Sequence, residues 1–145
     1  MALAGLGALA RPARAAVPLE VQVYKSPTCG CCGAWVDHLR GAGFKVQVNE
    51  VGDTSAVRQR FGLPDRYGSC HTAIVGGYVV EGHVPATEIK RLLATRPAAI
   101  GLAVPGMPLG SPGMEQGNRR DPYQVLLIDE QGRDRVYASY PKAAG

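Results

Sequence analysis

Two β-rich segments separated by one helical segment constrain the fold of this chain more than any other feature. Residues 19–27 (LEVQVYKSP) and 44–51 (FKVQVNEV) alternate apolar and polar side chains, which predicts two strands. From residue 31 to about residue 42, apolar residues recur at helical spacing and glycines end the run. Strands joined through a helix run parallel to each other. The sequence therefore predicts a β-α-β unit.

The patterns that follow extend this unit by two helices and a hairpin. Residues 53–63 and 84–97 have helical patterns, and residues 71–82 are typical of two short strands joined at Gly76 and Gly77. The order β-α-β-α-β-β-α is that of the thioredoxin and glutaredoxin fold, in which the closing hairpin is antiparallel to the first two strands. We therefore predict an α/β, thioredoxin-like fold.

The last third of the chain is predicted to extend that domain. Residues 99–122 are too rich in glycine and proline for regular structure, but their apolar side chains need covering, so we expect them to pack against the domain. Residues 123–140 predict an added β-hairpin. A chain of 145 residues suits one compact domain, which we place at 17–145 with its extension at 99–145.

The first residues have part of the composition of an export signal. Residues 1–16 contain the apolar run ALAGLGALA and the small-x-small pattern ARA, but they lack a positively charged start. We interpret them as the remnant of a secretory signal peptide, with the mature protein beginning near Ala16 or Val17. An alanine-rich start without a targeting role is the alternative. No segment approaches the length of a transmembrane helix, so no integral membrane segment is predicted.

The charge of the chain argues against one class of partner. The formal net charge is +4, and no run of basic residues with interleaved aromatic residues concentrates it. Scattered, solvated basic side chains are the simpler interpretation, so nucleic acid is not expected as a partner.

Three of the four cysteines lie between the first predicted strand and the first predicted helix, at Cys29, Cys31 and Cys32. The unpaired N–H groups and the positive dipole end of a helix N-terminus stabilise thiolates, which are both nucleophiles and metal ligands. Cys29 and Cys32 form a C-x-x-C pair, which suits a redox pair and also suits two ligands on one metal. Cys31 is surplus to a dithiol oxidoreductase. Such clustering also argues against a disulfide framework, which would spread its cysteines out.

The fourth cysteine directly precedes the third predicted strand. In the thioredoxin-like pattern this junction carries a proline, usually cis, that faces the C-x-x-C pair and is viewed as keeping metals away from it. Here Cys70, His71 and Thr72 occupy the junction instead. The sequence therefore predicts three or four thiolates and an imidazole at one end of the sheet.

This ligand set indicates which metals are candidates. Soft thiolates select Cu(I), Zn(II) or an iron–sulfur cluster. Zinc ribbons and knuckles usually draw on two C-x-x-C pairs and this chain has one, so Zn(II) is the weaker candidate. The extra cysteine favours Cu(I) or Ag(I), whose thiolates can bridge two ions. Met107 and Met114 could add soft thioether ligands, although either alone could equally be a gap-filling apolar side chain.

The other two histidines differ in their surroundings. His83 lies where the predicted hairpin enters the last helix, near the cysteine loop, and a functional role and a capping role suit it equally. His38 lies in the first predicted helix beside Asp37 and Arg40, which predicts a place on a solvated face.

Four segments resemble a bacterial family: TCGCCGAWVDHLRGAGF, CHTAIVGGYVVEGHVPATEIKRLLATRP, GLAVPGMPLGSPGME and YQVLLIDEQGRDRVYASY, which together span nearly all of residues 20–140. That family, long catalogued as a domain of unknown function, includes the CopG-type copper-resistance proteins. The resemblance implies a periplasmic, thioredoxin-like protein, extended to hold several Cu(I) ions bridged by cysteines and found with copper and silver efflux and resistance systems. It implies that the cluster ligands are Cys29, Cys31, Cys32 and Cys70, with His71, His83, Met107 and Met114 as further candidates.

We therefore interpret the chain as a periplasmic Cu(I)- and Ag(I)-binding protein of metal resistance and homeostasis. It would sequester these ions or pass them to other periplasmic copper-handling or efflux proteins, and we expect a metal-binding protein rather than an enzyme. The alternative is a thiol-disulfide oxidoreductase, with Cys29 as nucleophile and Cys32 as resolving thiol, or a copper-dependent redox protein that uses the same pair. A protein-only interaction module has only the apolar loop 99–122 in its favour.

Overall fold

The structure is a computed structural model that describes residues 19–142, so the predicted signal remnant at 1–16 lies outside the described residues. Three α-helices and a seven-stranded mixed sheet make up the described part, with the sheet order β2-β1-β3-β4-β5-β6-β7. The mixed α/β class predicted from the sequence is confirmed. The helices are α1 (Gly30–Gly41), α2 (Thr54–Arg60) and α3 (Ala86–Thr95). The strands are β1 (Glu20–Lys25), β2 (Lys45–Glu50), β3 (His71–Val75), β4 (Tyr78–Glu81), β5 (Gly101–Ala103), β6 (Tyr123–Ile128) and β7 (Asp134–Tyr140).

The pairing of the strands follows from their connections. β1 and β2 are parallel and are joined through α1, whereas β3 is antiparallel to β1 and β4 is antiparallel to β3. β4 continues the sheet into β5 in parallel, and β6 and β7 then add two antiparallel strands. The predicted β-α-β unit and both predicted hairpins are therefore present.

One segment contains more regular structure than its composition predicted. Within 99–122, where glycine and proline argued against a strand, residues Gly101–Ala103 form β5 beside β4. A Cβ atom at Gly101 would lie 1.7 Å from the carbonyl oxygen of Val79, so only glycine allows this close approach of the two strands. The expectation that this region packs against the domain holds, because Leu102 and Val104 are buried.

Two hydrophobic clusters stabilise the sheet. The larger contains side chains of α1 and α3, such as Trp35 and Ile89, together with strand residues such as Val23. The smaller contains Leu63 and Tyr67 after α2, with strand residues on the other face. Both faces of the sheet are therefore covered. No helix among residues 19–142 is long and apolar enough to cross a membrane.

The prediction that His38 lies on a solvated face is wrong. His38 is partly buried near the end of α1, and its Nε2 accepts a hydrogen bond of 3.0 Å from the backbone N–H of Ala86. Because Ala86 is the first residue of α3, the imidazole satisfies one of the free N–H groups of that helix. His38 therefore joins two helices.

The last strand is fastened to α3 by a buried carboxylate. Glu88 is 3% exposed, and its Oε1 accepts hydrogen bonds from Tyr140 Oη at 2.8 Å and from Lys142 Nζ at 2.7 Å. Arg91 lies 3.0 Å from the other carboxylate oxygen. The ring of Tyr140 also stacks on Tyr123 with 4.9 Å between centroids. We call these five residues the Glu88 clasp.

Candidate metal centre

The four cysteines come together where α1 begins. Cys29 is the residue before α1, Cys31 and Cys32 lie in its first turn, and Cys70 directly precedes β3. β1 and β3 are neighbours in the sheet, which places the start of β3 beside the end of β1 and hence beside α1. The four Sγ atoms all lie within 4.8 Å of one another. We call this group the thiol cluster.

The thiol cluster is in a partly oxidised state. Cys29 and Cys32 form a disulfide with an S–S distance of 2.08 Å, whereas Cys31 and Cys70 are free thiols. The Sγ atom of Cys31 lies 3.6 Å from that of Cys29, so the third cysteine is in contact with the disulfide. The side chain at the N-cap position of α1 makes no capping hydrogen bond, which leaves the first N–H groups of the helix free to stabilise a thiolate.

Two histidines adjoin the cluster through Cys70. The Sγ atom of Cys70 lies 3.3 Å from Nδ1 of His71 and 3.1 Å from Nε2 of His83. One ligand atom from each of these three residues lies within 4.8 Å of the others, and both imidazoles are fully buried. The structure therefore brings together six of the eight side chains that the sequence singled out as metal ligands.

A hydrogen bond fixes the orientation of His83. Its Nδ1 lies 2.6 Å from the carbonyl oxygen of Pro112, which can only accept, so Nδ1 carries the proton and donates it. Nε2 then has a lone pair directed at Cys70. Metal-binding histidines commonly have this arrangement, in which a carbonyl holds one ring nitrogen and the other faces the metal. Burial lowers the pKa of His83, which further favours the neutral ring.

His71 is enclosed between two other rings. Its centroid lies 4.3 Å from that of Trp35 and 5.0 Å from that of His83. Burial, followed by the proximity of His83, lowers the pKa of His71 to about 3, so the imidazole is neutral near pH 7. Its Nε2 has no hydrogen-bond partner among the described residues. The nitrogen of this neutral imidazole that is suited to a ligand role is Nδ1, which lies beside Cys70.

The thiol of Cys70 differs from those at the helix start. Burial raises its pKa to about 12, with Cys31 adding to the shift and a hydrogen bond from Ser69 opposing it. Cys70 is therefore a protonated thiol near pH 7 in the metal-free protein. The helix N-terminus, invoked from the sequence to lower thiol pKa values, acts at the start of α1, and Cys70 lies outside that helix. A metal would have to displace the Cys70 proton.

The extension closes one side of the centre through a glycine. Gly113 has a φ of +88°, and a Cβ atom there would lie 2.8 Å from the backbone nitrogen of Trp35 and 3.0 Å from Nδ1 of His83. The carbonyl oxygen of Cys31 would be 3.1 Å away. The turn at residues 112–114 thus lies directly against both the start of α1 and the imidazole of His83. The sequence identified the methionines of this loop as candidates. It did not identify Gly113, which allows the loop to approach the centre so closely.

The two candidate methionines lie in different surroundings. Met114 is partly buried and follows Gly113, so its backbone is at the edge of the centre. Met107 is 46% exposed and lines a groove of about 760 Å³ together with Tyr123 and Tyr140. Its neighbour Gly106 accepts a hydrogen bond of 2.6 Å from Ser69 Oγ. A ligand role for either methionine stays a prediction.

A buried carboxylate beneath Cys70 was also missed from the sequence. Glu81 in β4 is fully buried, and it accepts hydrogen bonds from the backbone N–H of Ser69 at 2.8 Å and from Thr72 Oγ1 at 2.6 Å. Arg58 of α2 lies 3.2 Å from the same carboxylate. Burial raises the pKa of Glu81, and these three partners oppose that shift. The only available signal was a lone charged residue ending an apolar strand pattern.

The fold and this centre define a mixed α/β protein whose clustered thiols and imidazoles could hold a metal ion. Residues 67–114 match the family model described as "Protein of unknown function, DUF411". Two solved structures, described as "Copper resistance protein copG", form 2 and form 1, are each 49% identical to this chain with a TM-score of 0.82. Each match covers 86% of this chain, with 100% of the form 2 chain and 99% of the form 1 chain. No curated protein matches the chain. The chain belongs to the CopG family of copper resistance proteins, as its motifs predicted.

Proposed function

We propose that this protein binds Cu(I) as a soft cargo ion and acts in copper resistance by holding it at the thiol cluster. The observation that carries this proposal is the convergence of four Sγ atoms within 4.8 Å of one another. Thiolates are the protein ligands best matched to Cu(I), and a shared thiolate can bridge two ions. We propose Cys29, Cys31, Cys32 and Cys70 as the bridging ligands.

The neighbouring imidazoles and the extension would complete the centre. His83 presents a lone pair on Nε2, and His71 is buried and neutral, so both suit a secondary ligand role. We propose Met114 as a thioether ligand from the loop that closes the site. Met107, which is exposed at 46%, would contribute only while ions enter or leave.

The disulfide must open before the full ligand set exists. Reduction of the Cys29–Cys32 bond takes two electrons and two protons from an external thiol or dithiol, which becomes oxidised to a disulfide. Both released cysteines can then bind as thiolates, with their protons passing to water when metal binds. Copper capacity should therefore depend on the redox state of this one bond.

Several finer features belong to the same proposal. The parallel pair β1 and β2 and the antiparallel β3 and β4 support a thioredoxin-like fold for residues 17–98, with 99–145 as its extension. The apolar start of the sequence supports export to the periplasm after removal of residues 1–16. Ag(I) shares the preference of Cu(I) for sulfur and is a second cargo, whereas Zn(II) is the weaker candidate. Other periplasmic copper-handling or efflux proteins would receive the ions.

Native mass spectrometry of residues 17–145 tests the proposal. Fully reduced protein is titrated anaerobically with Cu(I), and with Zn(II) in parallel, while protein that retains the disulfide serves as the matched control. We expect more than one Cu(I) per reduced chain, resistance to displacement by Zn(II), and lower capacity in the control. Cys31→Ser should lower the number of ions bound. Unchanged stoichiometry and affinity in that variant would rule out the multi-thiolate arrangement.

Thiol-disulfide exchange is the second candidate function, and the Cys29–Cys32 disulfide is the observation that favours it. A bond between the two ends of a C-x-x-C motif at a helix N-terminus is the arrangement used by dithiol oxidoreductases. Reduction of insulin by the metal-free protein, together with uptake of no copper, would favour this function over the first. A Cys32→Ser variant that keeps full insulin-reducing activity would argue against it.

A further inference from the structure

The segment that carries Cys70 and His71 is held at both ends by one carboxylate. Ser69 precedes this pair and Thr72 follows it, and both donate hydrogen bonds to Glu81, at 2.8 Å and 2.6 Å. Each bond uses a different oxygen of the carboxylate. The two oxygens thus fix the ends of a short segment whose side chains face the thiol cluster.

The carboxylate is itself fixed from the side of α2. Arg58 is 9% exposed and lies 3.2 Å from Glu81, and it also contacts Asp65 at 3.0 Å and Thr54 at 3.2 Å. Removing Glu81 would therefore leave the guanidinium with another carboxylate as its partner. Buried ion pairs contribute little net stability compared with apolar side chains of the same volume. Fold stability alone therefore gives little reason for a charged pair here.

Cys70 and His71 lie between the two residues that donate to Glu81. Proline is absent from the junction, and within residues 19–142 the only cis peptide bond is Tyr140–Pro141. Backbone pairing with β1 and β4 holds the strand side of the junction, and the hydrogen bonds from Ser69 and Thr72 to Glu81 are added to it. A small movement of residues 69–72 would change the distance between Cys70 Sγ and His83 Nε2, which is 3.1 Å. A tilt of that segment would also move His71 relative to Trp35.

We propose that Glu81 is a positioning residue of the metal centre, which holds Ser69 and Thr72 so that Cys70 and His71 stay in ligand geometry. The inference rests on the proposed copper-binding function and deepens it. Residues that orient metal ligands from behind typically change metal affinity by roughly 10- to 100-fold when they are replaced. The hydrogen bonds of Glu81 are with Arg58, Ser69 and Thr72, and none of them involves a sulfur atom. Its effect on the metal would therefore act through the position of residues 69–72.

The test compares three variants of residues 17–145 under anaerobic, reducing conditions. Glu81→Leu removes both hydrogen bonds, whereas Glu81→Gln can accept from Ser69 through its amide oxygen and donate to Thr72 through its amide nitrogen. Glu88→Leu is the matched control, because it removes another buried, ion-paired carboxylate, which belongs to the Glu88 clasp. Cu(I) affinity is measured by competition with a chromophoric Cu(I) chelator, and metal-free stability by urea unfolding.

We expect Cu(I) affinity to fall roughly 10- to 100-fold in Glu81→Leu, to stay near that of the natural protein in Glu81→Gln, and to be unchanged in Glu88→Leu. Natural affinity in folded Glu81→Leu, or equal losses in both leucine variants, would overturn the inference and leave the proposed function intact. If Glu81→Leu does not fold, Thr72→Val decides, because it removes one of the two bonds at constant volume. Weaker Cu(I) binding in Thr72→Val supports the inference, and unchanged binding overturns it. A natural protein that takes up no Cu(I) would overturn the proposed function and this inference with it.

Discussion

The Glu88 clasp and the metal centre differ in how their buried polar groups are paired. In the Glu88 clasp, one carboxylate meets a hydroxyl, an ammonium and a guanidinium, so each of its oxygens has a partner. At the metal centre, His71 is fully buried but its Nε2 has no partner among residues 19–142. Leaving a buried polar atom unpaired costs about 1–3 kcal/mol. The clasp therefore has its buried carboxylate fully paired, whereas the metal centre leaves a buried ring nitrogen unpaired at some cost in stability.

This contrast predicts that the free energy of unfolding and the metal affinity depend on different residues. Changes at the clasp should lower the free energy of unfolding without altering metal affinity. Changes at the centre should alter metal affinity, and they should destabilise the fold only where they also remove core packing or strain the backbone. The predictions below test this separation, from the largest expected effect to the smallest.

Trp35 is a large core residue that also contacts the metal centre, so its loss should have the largest effect. It is fully buried, its Nε1 donates to the carbonyl oxygen of Val84 at 2.9 Å, and its ring packs on His71. Trp35→Ala should lower the free energy of unfolding by about 3–5 kcal/mol, as is typical for a large core aromatic residue. Urea unfolding of the metal-free protein measures this. Trp35→Phe keeps most of the packing and should lose less, and equal losses in both variants would show that ring volume contributes little.

Much of the fold could be predicted before the structure because its elements follow local patterns. The strand Glu20–Lys25, the helix Gly30–Gly41 and the hairpin turn at Gly76 and Gly77 each have a periodicity or turn signal in their own residues. Strand β5 could not be predicted in this way. It forms because Gly101 lets its backbone approach Val79, and that contact joins residues far apart in the sequence.

The residues of the metal centre also differ in whether a local sequence pattern reveals them. The cysteines of α1 and the Cys70-His71 pair were identified because their chemistry and their place before a helix or strand are visible locally. Glu81 and Gly113 were missed because each acts by contact with a distant segment, and neither has an unusual local pattern. His38 was placed on a solvated face for the same reason, since its partner Ala86 lies in another helix.

Replacing Gly113 tests how closely the extension is fitted to the centre. Gly113→Ala would bring a Cβ atom to 2.8 Å from the backbone nitrogen of Trp35, in a left-handed conformation. Strain of this kind costs about 1–3 kcal/mol, and relief of it would move the Pro112 carbonyl away from His83. Unfolding by urea and the histidine signals in NMR spectra measure the two effects.

Gly117→Ala is the matched control for this change. Gly117 also has positive φ, at +54°, but a Cβ atom there would meet nothing within 4 Å. We expect a smaller loss of stability and unchanged histidine signals. If both glycine variants behaved alike, the contact of Gly113 with the metal centre would contribute nothing measurable, and the contrast between the Glu88 clasp and the metal centre would lose part of its basis.

A conservative change in the clasp should affect stability alone. Tyr140→Phe removes the hydrogen bond of 2.8 Å to Glu88 but keeps the stacked ring against Tyr123. The free energy of unfolding should fall by about 1 kcal/mol, with Cu(I) affinity unchanged. Urea unfolding and chelator competition measure the two quantities. A loss of Cu(I) affinity here would mean that the clasp and the centre are coupled, against the separation argued above.

His38 sharpens the comparison because, unlike His71, its ring acceptor is paired. Burial lowers the pKa of His38, with Glu115 opposing the shift, so the folded protein takes up this proton at a lower pH than the unfolded chain. The contribution to stability is complete above the unfolded pKa of about 6.5, and it is lost as the pH falls from there through the lowered folded pKa. The loss should stay below about 1 kcal/mol, because the side chain is only partly buried and solvent screens it.

His38→Gln keeps an acceptor for the Ala86 N–H but does not titrate, so comparing urea unfolding of both proteins near neutral and near mildly acidic pH isolates this one histidine. Because His71, His83 and the carboxylates are common to both proteins, the natural protein should lose more stability on acidification, and equal losses would show that the bond between α1 and α3 does not depend on the charge of His38.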